Sequence, residues 1–239
     1  MTNLQEISNN NTLNEIKQNV YDAFNNFIFS EDLKLTGKML HRFQYFLQTK
    51  HLPGDIVEVG VFKGSGVVSF SKFIEIYCPN SNKKVVGFDI FDVIEAKDIL
   101  EKDTEADKAN MSVVYNRVDF NELTLEAVKN RILKSNVKED KFKLIKGDVQ
   151  ESLPKFLEEN PGFRASLIYI DVDLDRPTYY SLKYLWDRLL PGGVILFDEY
   201  EYHKFSESAG VERFLKEFNL SYNLESTNWI APTAYMVKK

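Results

Sequence analysis

The stretch Ser166–Tyr202 constrains the fold more than any other part of the chain. It reads as a buried strand (Ser166–Ile170), an acidic loop (Asp171–Asp175), a helix over about Pro177–Leu190 and a second buried strand (Gly193–Phe197). Short apolar runs of Ile, Val, Leu and Phe, separated by a helix-length segment, are typical of a strand–helix–strand unit in a parallel sheet. The stretch therefore predicts an α/β protein.

Acidic side chains end both of these strands. Asp171 follows the first strand, and Asp198 with Glu199 follows the second. The carboxyl ends of parallel strands share one edge of the sheet, where ligands of open α/β sheets bind. Three carboxylates that converge there repel one another unless a cation or a proton is present. Since no Cys or His lies nearby, the set suits a hard, oxygen-seeking cation and predicts a Mg²⁺ site. Asp173 lies close enough that its participation stays open, whereas Asp175 is expected to cap the following helix.

Composition sets the broad class. The chain has 239 residues, 44% of them hydrophobic, which is enough for a sizeable core in one domain. A net charge of −6 without a basic run argues against nucleic-acid binding. The single cysteine, Cys78, fits a reducing compartment. No apolar run approaches the roughly 20 residues of a membrane span, and the polar amino terminus does not resemble a signal peptide. We expect a cytoplasmic protein that binds neither nucleic acid nor membrane.

Two helices are expected before the first strand, over about Leu13–Phe29 and about Lys34–Lys50. They would form an amino-terminal helical extension, residues 1–53, ahead of the main domain, residues 54–239. Their aromatic side chains predict core packing, with a cover over the sheet or over a substrate pocket as the alternative.

A glycine-rich turn follows the first predicted strand, Ile56–Val59, and carries Gly60, Gly64 and Gly66. Such a turn lets a ligand approach the backbone and places a helix amino terminus beneath it. The spacing does not meet the dinucleotide pattern G-x-G-x-x-G.

Glu58 is an acid inside this otherwise apolar strand. Burying it is costly without a cationic or hydrogen-bonding partner. The amino group of an aminoacyl-type cofactor would serve, and the alternative is a pair with Lys63.

Two further strand ends carry candidate binding residues. Asp89 follows the strand Lys84–Phe88, where folds of this class bind ribose hydroxyls, and Asp92 is the substitute. After the strand Phe142–Ile145, Asp148 can accept a hydrogen bond from an adenine amino group. Val149 offers a backbone N–H there. The alternative for Asp148 is a cap for a helix over residues 150–158.

The remaining segments are less informative. Residues 93–120 carry mixed charge with weak periodicity and predict an irregular lid or mobile loop. Helices are expected over Thr124–Ser135 and Gly210–Phe218, and late strands over Tyr222–Leu224 and Ala234–Val237.

Taken in order, these motifs resemble the macrocin O-methyltransferase family over about residues 54–215. The motifs are Glu58-Val-Gly-Val-Phe-Lys-Gly-Ser, Asp89-Ile-Phe-Asp, Gly147-Asp148…Leu153-Pro154, and Asp171…Pro191-Gly192-Gly193…Asp198-Glu199-Tyr200. The resemblance implies a doubly wound, mostly parallel seven-stranded sheet of the class I methyltransferase type. It also implies S-adenosylmethionine and magnesium as cofactors, and methylation of sugar hydroxyls on antibiotics and related glycosides. The family's amino-terminal helices often serve subunit contacts, so a homo-oligomer stays open.

The resemblance assigns roles by position. Glu58 and the backbone of Gly60–Ser65, including Gly64, would hold the methionine part of the cofactor. Asp89 would hold the ribose, and Asp148 with Val149 would face the adenine. The metal would be bound by Asp171, Asp198 and Glu199. Two positions depart from the family: Glu199 stands where a second Asp is usual, and Asp175 stands where an aromatic residue is usual.

The implied reaction transfers a methyl group to a metal-bound hydroxyl, with Asp171 among the catalytic residues. A catechol-type acceptor, a Rossmann-like nucleotide-binding oxidoreductase and a binding module without chemistry are the alternatives. A general base with a pKa near neutrality would help the transfer. Of the three histidines only His203, in the loop Tyr200–Ser208, follows the acidic pair, so it is the predicted base. A solvent-facing His203, with a carboxylate or hydroxide as base, is the alternative.

Overall fold

A computed structural model of the chain describes residues 18–239, so the expected helix start near Leu13 lies outside the described residues. Of the described residues, 18–36 and 37–239 belong to separate compact units. In the first unit, helix α1 (Gln18–Ile28) buries none of its residues. The predicted division at residue 53 stays a prediction.

Helices and strands alternate along the second unit. After α1, the helices are α2 (Leu33–Thr49), α3 (Ser65–Tyr77), α4 (Val93–Leu100), α5 (Glu105–Tyr115), α6 (Leu125–Lys134), α7 (Val149–Glu159), α8 (Asp175–Leu185) and α9 (Glu207–Glu217). The strands are β1 (Asp55–Val59), β2 (Val85–Asp89), β3 (Phe142–Lys146), β4 (Ala165–Ile170), β5 (Leu189–Phe197), β6 (Glu225–Ser226) and β7 (Ala234–Val237).

The sheet confirms the predicted fold class. Its seven strands run in the order β3-β2-β1-β4-β5-β7-β6. The first five are parallel, whereas β7 is antiparallel to both β5 and β6. The order reverses between β1 and β4, where ligands bind in doubly wound sheets at the carboxyl ends of the strands.

Alternation along the strands divides the core into two layers, because successive side chains of a strand point to opposite faces. One layer packs with α7, α8 and α9 and includes Val57, Ile168 and Ile195. The other packs with α2, α3 and α6 and includes Ile56, Leu167, Tyr169, Val194 and Leu196.

Residues 93–120 contain two helices, α4 and α5, so the prediction of an irregular connection was wrong, whereas a lid role stays a prediction. Asp92 caps α4 by accepting hydrogen bonds from the backbone N–H groups of Ile94 and Glu95. Thr104 caps α5 in the same way. The helices bury only a few apolar side chains, among them Leu100 and Met111, which is why the sequence shows weak periodicity.

Three other boundaries also differ from the predictions. Helix α8 ends at Leu185 because Leu189 already belongs to β5, and the short strand expected at Tyr222–Leu224 lies at Glu225–Ser226. Asp175 is the first residue of α8 and does not cap it. Its N–H instead donates to Ser206 Oγ at 2.8 Å. Its carboxylate pairs with Arg213 at 2.8 Å.

Among residues 18–239, no helix has the length and apolar character needed to cross a membrane.

Candidate active site

Strand alternation places the functional acids on one face of the sheet. Glu58 lies two residues beyond Ile56, and Asp198 lies two beyond Leu196, so both share the face that α2 and α3 cover. By the same period, Asp171 follows Tyr169 on that face. The acids at the carboxyl edge therefore meet side chains from α2.

Lys38 of α2 joins the two aspartates. Its Nζ lies 2.8 Å from Asp171 Oδ2 and 2.8 Å from Asp198 Oδ2. The hydroxyl of Tyr169 donates to the other oxygen of Asp198, Oδ1. The distances are those of charge-assisted hydrogen bonds. Two of the three predicted metal ligands, Asp171 and Asp198, therefore converge on an ammonium group, and Glu199 follows Asp198 as a buried residue.

The charges around Lys38 shift the pKa values of all three groups. Burial alone would lower the pKa of Lys38, but Asp171 and Asp198 outweigh it and raise that pKa. Burial also opposes ionisation of Asp171, yet Lys38 and Arg42 together hold its pKa below the ordinary value. Burial and the neighbouring Asp171 charge raise the pKa of Asp198.

Arg42, one helical turn after Lys38, connects Glu58 with the aspartate pair. Its Nη2 lies 3.5 Å from Glu58 Oε1 and 3.8 Å from Asp171 Oδ2. Its guanidinium carbon lies 4.8 Å from the centroid of the Tyr169 ring. Lys63, the alternative partner for Glu58, instead pairs with Glu122.

Glu58 lies against the first turn of α3. A Cβ on Gly66 would lie 1.6 Å from Glu58 Oε1, so only glycine leaves room for the carboxyl group. Burial raises the pKa of Glu58 to about 7, against the opposing effect of Arg42. A proton on Glu58 therefore exchanges near neutral pH.

Asp89 organises the glycine-rich turn. Its Oδ2 accepts a hydrogen bond from the Phe62 N–H at 2.8 Å, and its Oδ1 accepts one from the Phe91 N–H at 3.1 Å. Burial raises its pKa above the ordinary value, although these bonds oppose the shift. Asp92, the predicted substitute, is occupied as the cap of α4.

The backbone positions assigned to the cofactor lie in the turn between β1 and α3. The Gly60 N–H donates to the Phe88 carbonyl at 2.9 Å, which ties the turn to β2. Gly64 immediately precedes α3, and Ser65 is its first residue. These residues therefore form a turn that leads into a helix amino terminus, as the sequence predicts.

Asp148 caps α7, the structural alternative that the sequence left open. Its Oδ1 accepts a hydrogen bond from the Gln150 N–H at 3.0 Å, and its Oδ2 accepts one from Arg176 at 2.7 Å. Val149 is buried as the first residue of α7. Contact of either residue with adenine stays a prediction.

Two more acids adjoin the aspartate pair, and sequence reasoning missed one of them. Glu207, in the first turn of α9, is completely buried. Its Oε1 accepts a hydrogen bond from the Glu199 N–H at 3.0 Å, whereas no group within residues 18–239 forms a hydrogen bond with its Oε2. Burial, followed by the charges of Asp198 and Asp173, raises the pKa of Glu207 far above its ordinary value. Burial and the charges of Asp171, Asp198 and Glu199 likewise raise the pKa of Asp173.

The arrangement does not fit the Mg²⁺ ion that the sequence predicts. Over residues 18–239, no three His, Cys, Asp or Glu side chains are grouped so that they could hold a metal ion. Lys38 already contacts Asp171 and Asp198 at 2.8 Å each. Oxygen ligands suit Mg²⁺, but the Lys38 ammonium occupies the position between the two carboxylates that the ion would need.

The three histidines lie in different environments. His203 is exposed, with its ring centroid 5.8 Å from that of Tyr202. His41, on α2, stacks between Tyr45 and Trp229 with centroid distances of 6.4 and 6.1 Å. His51 is exposed near the amino end of β1. The base role of His203 stays a prediction.

The sequence contained a signal for the missed cations. Lys38 and Arg42 stand four residues apart, a spacing that puts both on one face of a helix. The aromatic residues beside them predict core packing, so the sequence pattern alone did not place these cations next to the strand-end acids.

Comparison with known proteins shows the family of the chain. A sequence model described as Macrocin-O-methyltransferase (TylF) matches residues 36–236, which is most of the chain. The chain belongs to the macrocin O-methyltransferase family. The matched range includes Lys38 and Arg42, strands β1 to β6 and all of β7 except its last residue.

One curated relative has a low sequence identity to the chain. The chain is 25% identical over 166 residues to the 8-demethyl-8-(2,3-dimethoxy-alpha-L-rhamnosyl)-tetracenomycin-C 4'-O-methyltransferase of Streptomyces olivaceus. That match covers 68% of this chain and 60% of the relative, so the chain spans less than two thirds of that enzyme's length.

Two solved structures share the fold. CalS11, a TDP-rhamnose 3'-O-methyltransferase of calicheamicin biosynthesis, aligns with a TM-score of 0.64 at 24% identity, over 91% of this chain and 86% of its own. The O-methyltransferase NovP aligns with a TM-score of 0.66 at 18% identity, over 84% of this chain and 79% of its own.

Proposed function

We propose that this member of the macrocin O-methyltransferase family transfers a methyl group from S-adenosylmethionine to a hydroxyl of a sugar or a glycosylated small molecule. The observation that carries the proposal is the joint placement of Glu58, Asp89 and the Asp171–Asp198 pair on one face of the sheet at its carboxyl edge. The family match supports methyl transfer, and the rhamnose-directed names of two relatives support a deoxysugar acceptor.

Glu58 and Asp89 would hold opposite ends of the cofactor. Arg42, 3.5 Å from Glu58 Oε1, favours the ionised form of Glu58, which would pair with the methionine amino group. The Asp89 oxygens already accept backbone hydrogen bonds at 2.8 and 3.1 Å, which fixes them for the ribose hydroxyls. The glycine turn would bring the sulfonium near the aspartate pair.

The transfer forms a carbon–oxygen bond and breaks the bond between the methyl carbon and the sulfonium sulfur. The hydroxyl proton goes to a base, and the sulfur keeps the electron pair as S-adenosylhomocysteine forms. His203 is the base that the sequence predicts. The exposed position of its ring leaves a carboxylate of the aspartate pair as the alternative proton acceptor.

Magnesium stays a prediction that rests on the family resemblance and on the acids at the strand ends. The proposed methyl transfer includes no step on a metal ion, because the carboxylates as arranged do not fit a metal ion.

The decisive experiment measures S-adenosylhomocysteine and methylated product after incubation with S-adenosylmethionine and a panel of acceptors. The panel contains a nucleoside-diphosphate-linked rhamnose, a rhamnosylated aromatic polyketide and a catechol. We expect a mass increase of one methyl group on a sugar hydroxyl. Methylation of the catechol alone would contradict the sugar assignment. Stabilisation by NADH rather than by S-adenosylmethionine in a thermal-shift assay would contradict the methyltransferase assignment.

A further inference from the structure

The inference concerns Lys38, whose ammonium stands at the point that the sequence assigns to a divalent cation. The contacts of 2.8 Å to Asp171 Oδ2 and to Asp198 Oδ2 give each aspartate one charge-assisted hydrogen bond. Arg42 adds a second positive charge 3.8 Å from Asp171. Lys38 and Arg42 therefore offset part of the repulsion between the two aspartates without a metal, although Arg42 is shared with Glu58.

The fold holds Lys38 in this place from several sides. Gly37, the preceding residue, packs against Trp229 so closely that a Cβ on it would lie 2.1 Å from the indole ring. The Lys38 ammonium lies 5.9 Å from the centroid of the Tyr169 ring, on the strand that leads to Asp171. The ammonium position is therefore fixed by packing of the helix as well as by charge.

The ammonium also keeps one side free for a ligand. An ammonium has three N–H donors, and two of them are used by the aspartates. The side chain of Lys38 is 18% exposed, so it is not sealed in the core. The third donor can reach a hydroxyl oxygen bound at the carboxyl edge.

We propose that Lys38 takes the place of the divalent cation in this chain. The inference rests on the proposed methyl transfer. Lys38 holds Asp171 and Asp198 together and donates its third N–H to the acceptor oxygen. That hydrogen bond strengthens as negative charge develops on the oxygen, so it stabilises the transition state more than the bound substrate. Turnover then needs no added metal.

The first test measures metal binding without any acceptor. Mn²⁺, which binds the same oxygen ligands as Mg²⁺, is titrated into the apo protein and the free ion is followed by electron paramagnetic resonance. We expect the wild type to leave the signal of free Mn²⁺ unchanged at millimolar concentrations. Lys38→Met removes one of the two cations beside the aspartates, and its Kd for Mn²⁺ should lie at least about tenfold below the lowest Kd that the wild-type titration allows. The double variant Lys38→Met/Asp198→Asn should lose that gain.

The second test measures turnover after dialysis against a chelator. The wild type should keep its rate, with no increase on adding Mg²⁺. Lys38→Met should lose about 10²-fold in turnover, the size typical of one lost donor to a developing oxyanion. Lys38→Arg, which keeps the charge, should retain more activity than Lys38→Met and guards against a folding defect in the latter.

The matched control is Lys108→Met. Lys108 also bridges two carboxylates, those of Glu101 and Glu105 at 2.9 and 3.0 Å, but it lies in α5 away from the aspartate pair. It should change neither Mn²⁺ binding nor turnover. Circular dichroism of all the variants checks folding.

Tight Mn²⁺ binding by the wild type, together with loss of its turnover in chelator, would overturn the proposal. It would mean that a metal displaces Lys38 during catalysis. If no acceptor is methylated, the proposed function fails, but the Mn²⁺ titration of the wild type still decides the role of Lys38. Should Lys38→Met fail to fold, the wild-type titration and Lys38→Arg carry the decision.

Discussion

The two edges of the parallel sheet each contain a lysine with little solvent exposure, and the two lysines behave in opposite ways. At the amino edge, Lys83 donates to the carbonyl of Gly54 and to Ser166 Oγ, and burial lowers its pKa to about 8. At the carboxyl edge, Lys38 donates to two carboxylates that raise its pKa despite burial. Partner chemistry, more than burial, therefore decides whether a buried cation is stabilised.

The difference separates a structural edge from a chemical one. Lys83 joins β1 to β4 through neutral oxygens, so its contacts serve folding. The carboxyl edge instead keeps acids with raised pKa values close together, as at Asp198 and Glu207. Perturbed groups of this kind cluster at functional sites. We therefore expect substitutions at the carboxyl edge to change chemistry and those at the amino edge to change stability.

The largest effect should come from Asp198→Asn. The variant keeps an oxygen for the Tyr169 hydroxyl but removes the charge that Lys38 contacts at 2.8 Å. We expect turnover to fall about 10²–10³-fold, with the Kd for S-adenosylmethionine unchanged. Steady-state assays and calorimetry measure the two quantities. Asp187→Asn, exposed just before β5, is the control and should leave both unchanged. An equal loss of turnover in Asp198→Asn and Asp187→Asn would contradict the view that the chemistry depends on the acids of the carboxyl edge.

The pH dependence of stability should report on Lys83. Its folded pKa of about 8 lies below the ordinary lysine value of 10.5, so the unfolded state binds more protons between these values. Stability from this group therefore increases as pH rises from about 8 to about 10.5. We expect the free energy of unfolding of the wild type, relative to Lys83→Met, to grow by up to about 3 kcal/mol over that range. Urea titrations from pH 7 to 10.5 measure this, and a constant difference would contradict it.

Asp89→Ala should weaken cofactor binding. The variant removes charge-assisted hydrogen bonds, each of which contributes about 1.5–3 kcal/mol, so the Kd should rise at least about tenfold. Calorimetric titration with S-adenosylmethionine checks this. The control is Asp92→Ala, which removes the cap of α4 and a surface ion pair with Lys146, and should cost about 1 kcal/mol of stability with the Kd retained. A wild-type Kd in Asp89→Ala would exclude the ribose role.

The smallest effect is expected for Ser166→Ala. It removes the hydroxyl that accepts a hydrogen bond from Lys83 at 2.6 Å. The loss should be about 1 kcal/mol in the free energy of unfolding, with turnover unchanged. Chemical denaturation and the methylation assay together measure it. A fall in the turnover of the folded variant would connect the amino edge to the chemistry.

Sequence reasoning was accurate where a local pattern has one structural meaning. The apolar runs before Asp171 and Asp198 form β4 and β5, and the seven-stranded sheet that the family resemblance implied is present. It failed where short-range signals were diluted. The helices of residues 93–120 bury few side chains, so their periodicity is weak. Asp is a residue type that often caps helices, but Asp175 is the first residue of α8.

By itself the sequence determined the fold class, the family and the strand-end positions of the acids, because these depend on periodicity and on order along the chain. Only the tertiary structure decided what neutralises the acids. Lys38 is separated from Asp171 by 133 residues and from Asp198 by 160, yet it contacts both. Packing of α2 on one face of the sheet brings them together, and no local pattern encodes a distance between side chains so far apart in sequence.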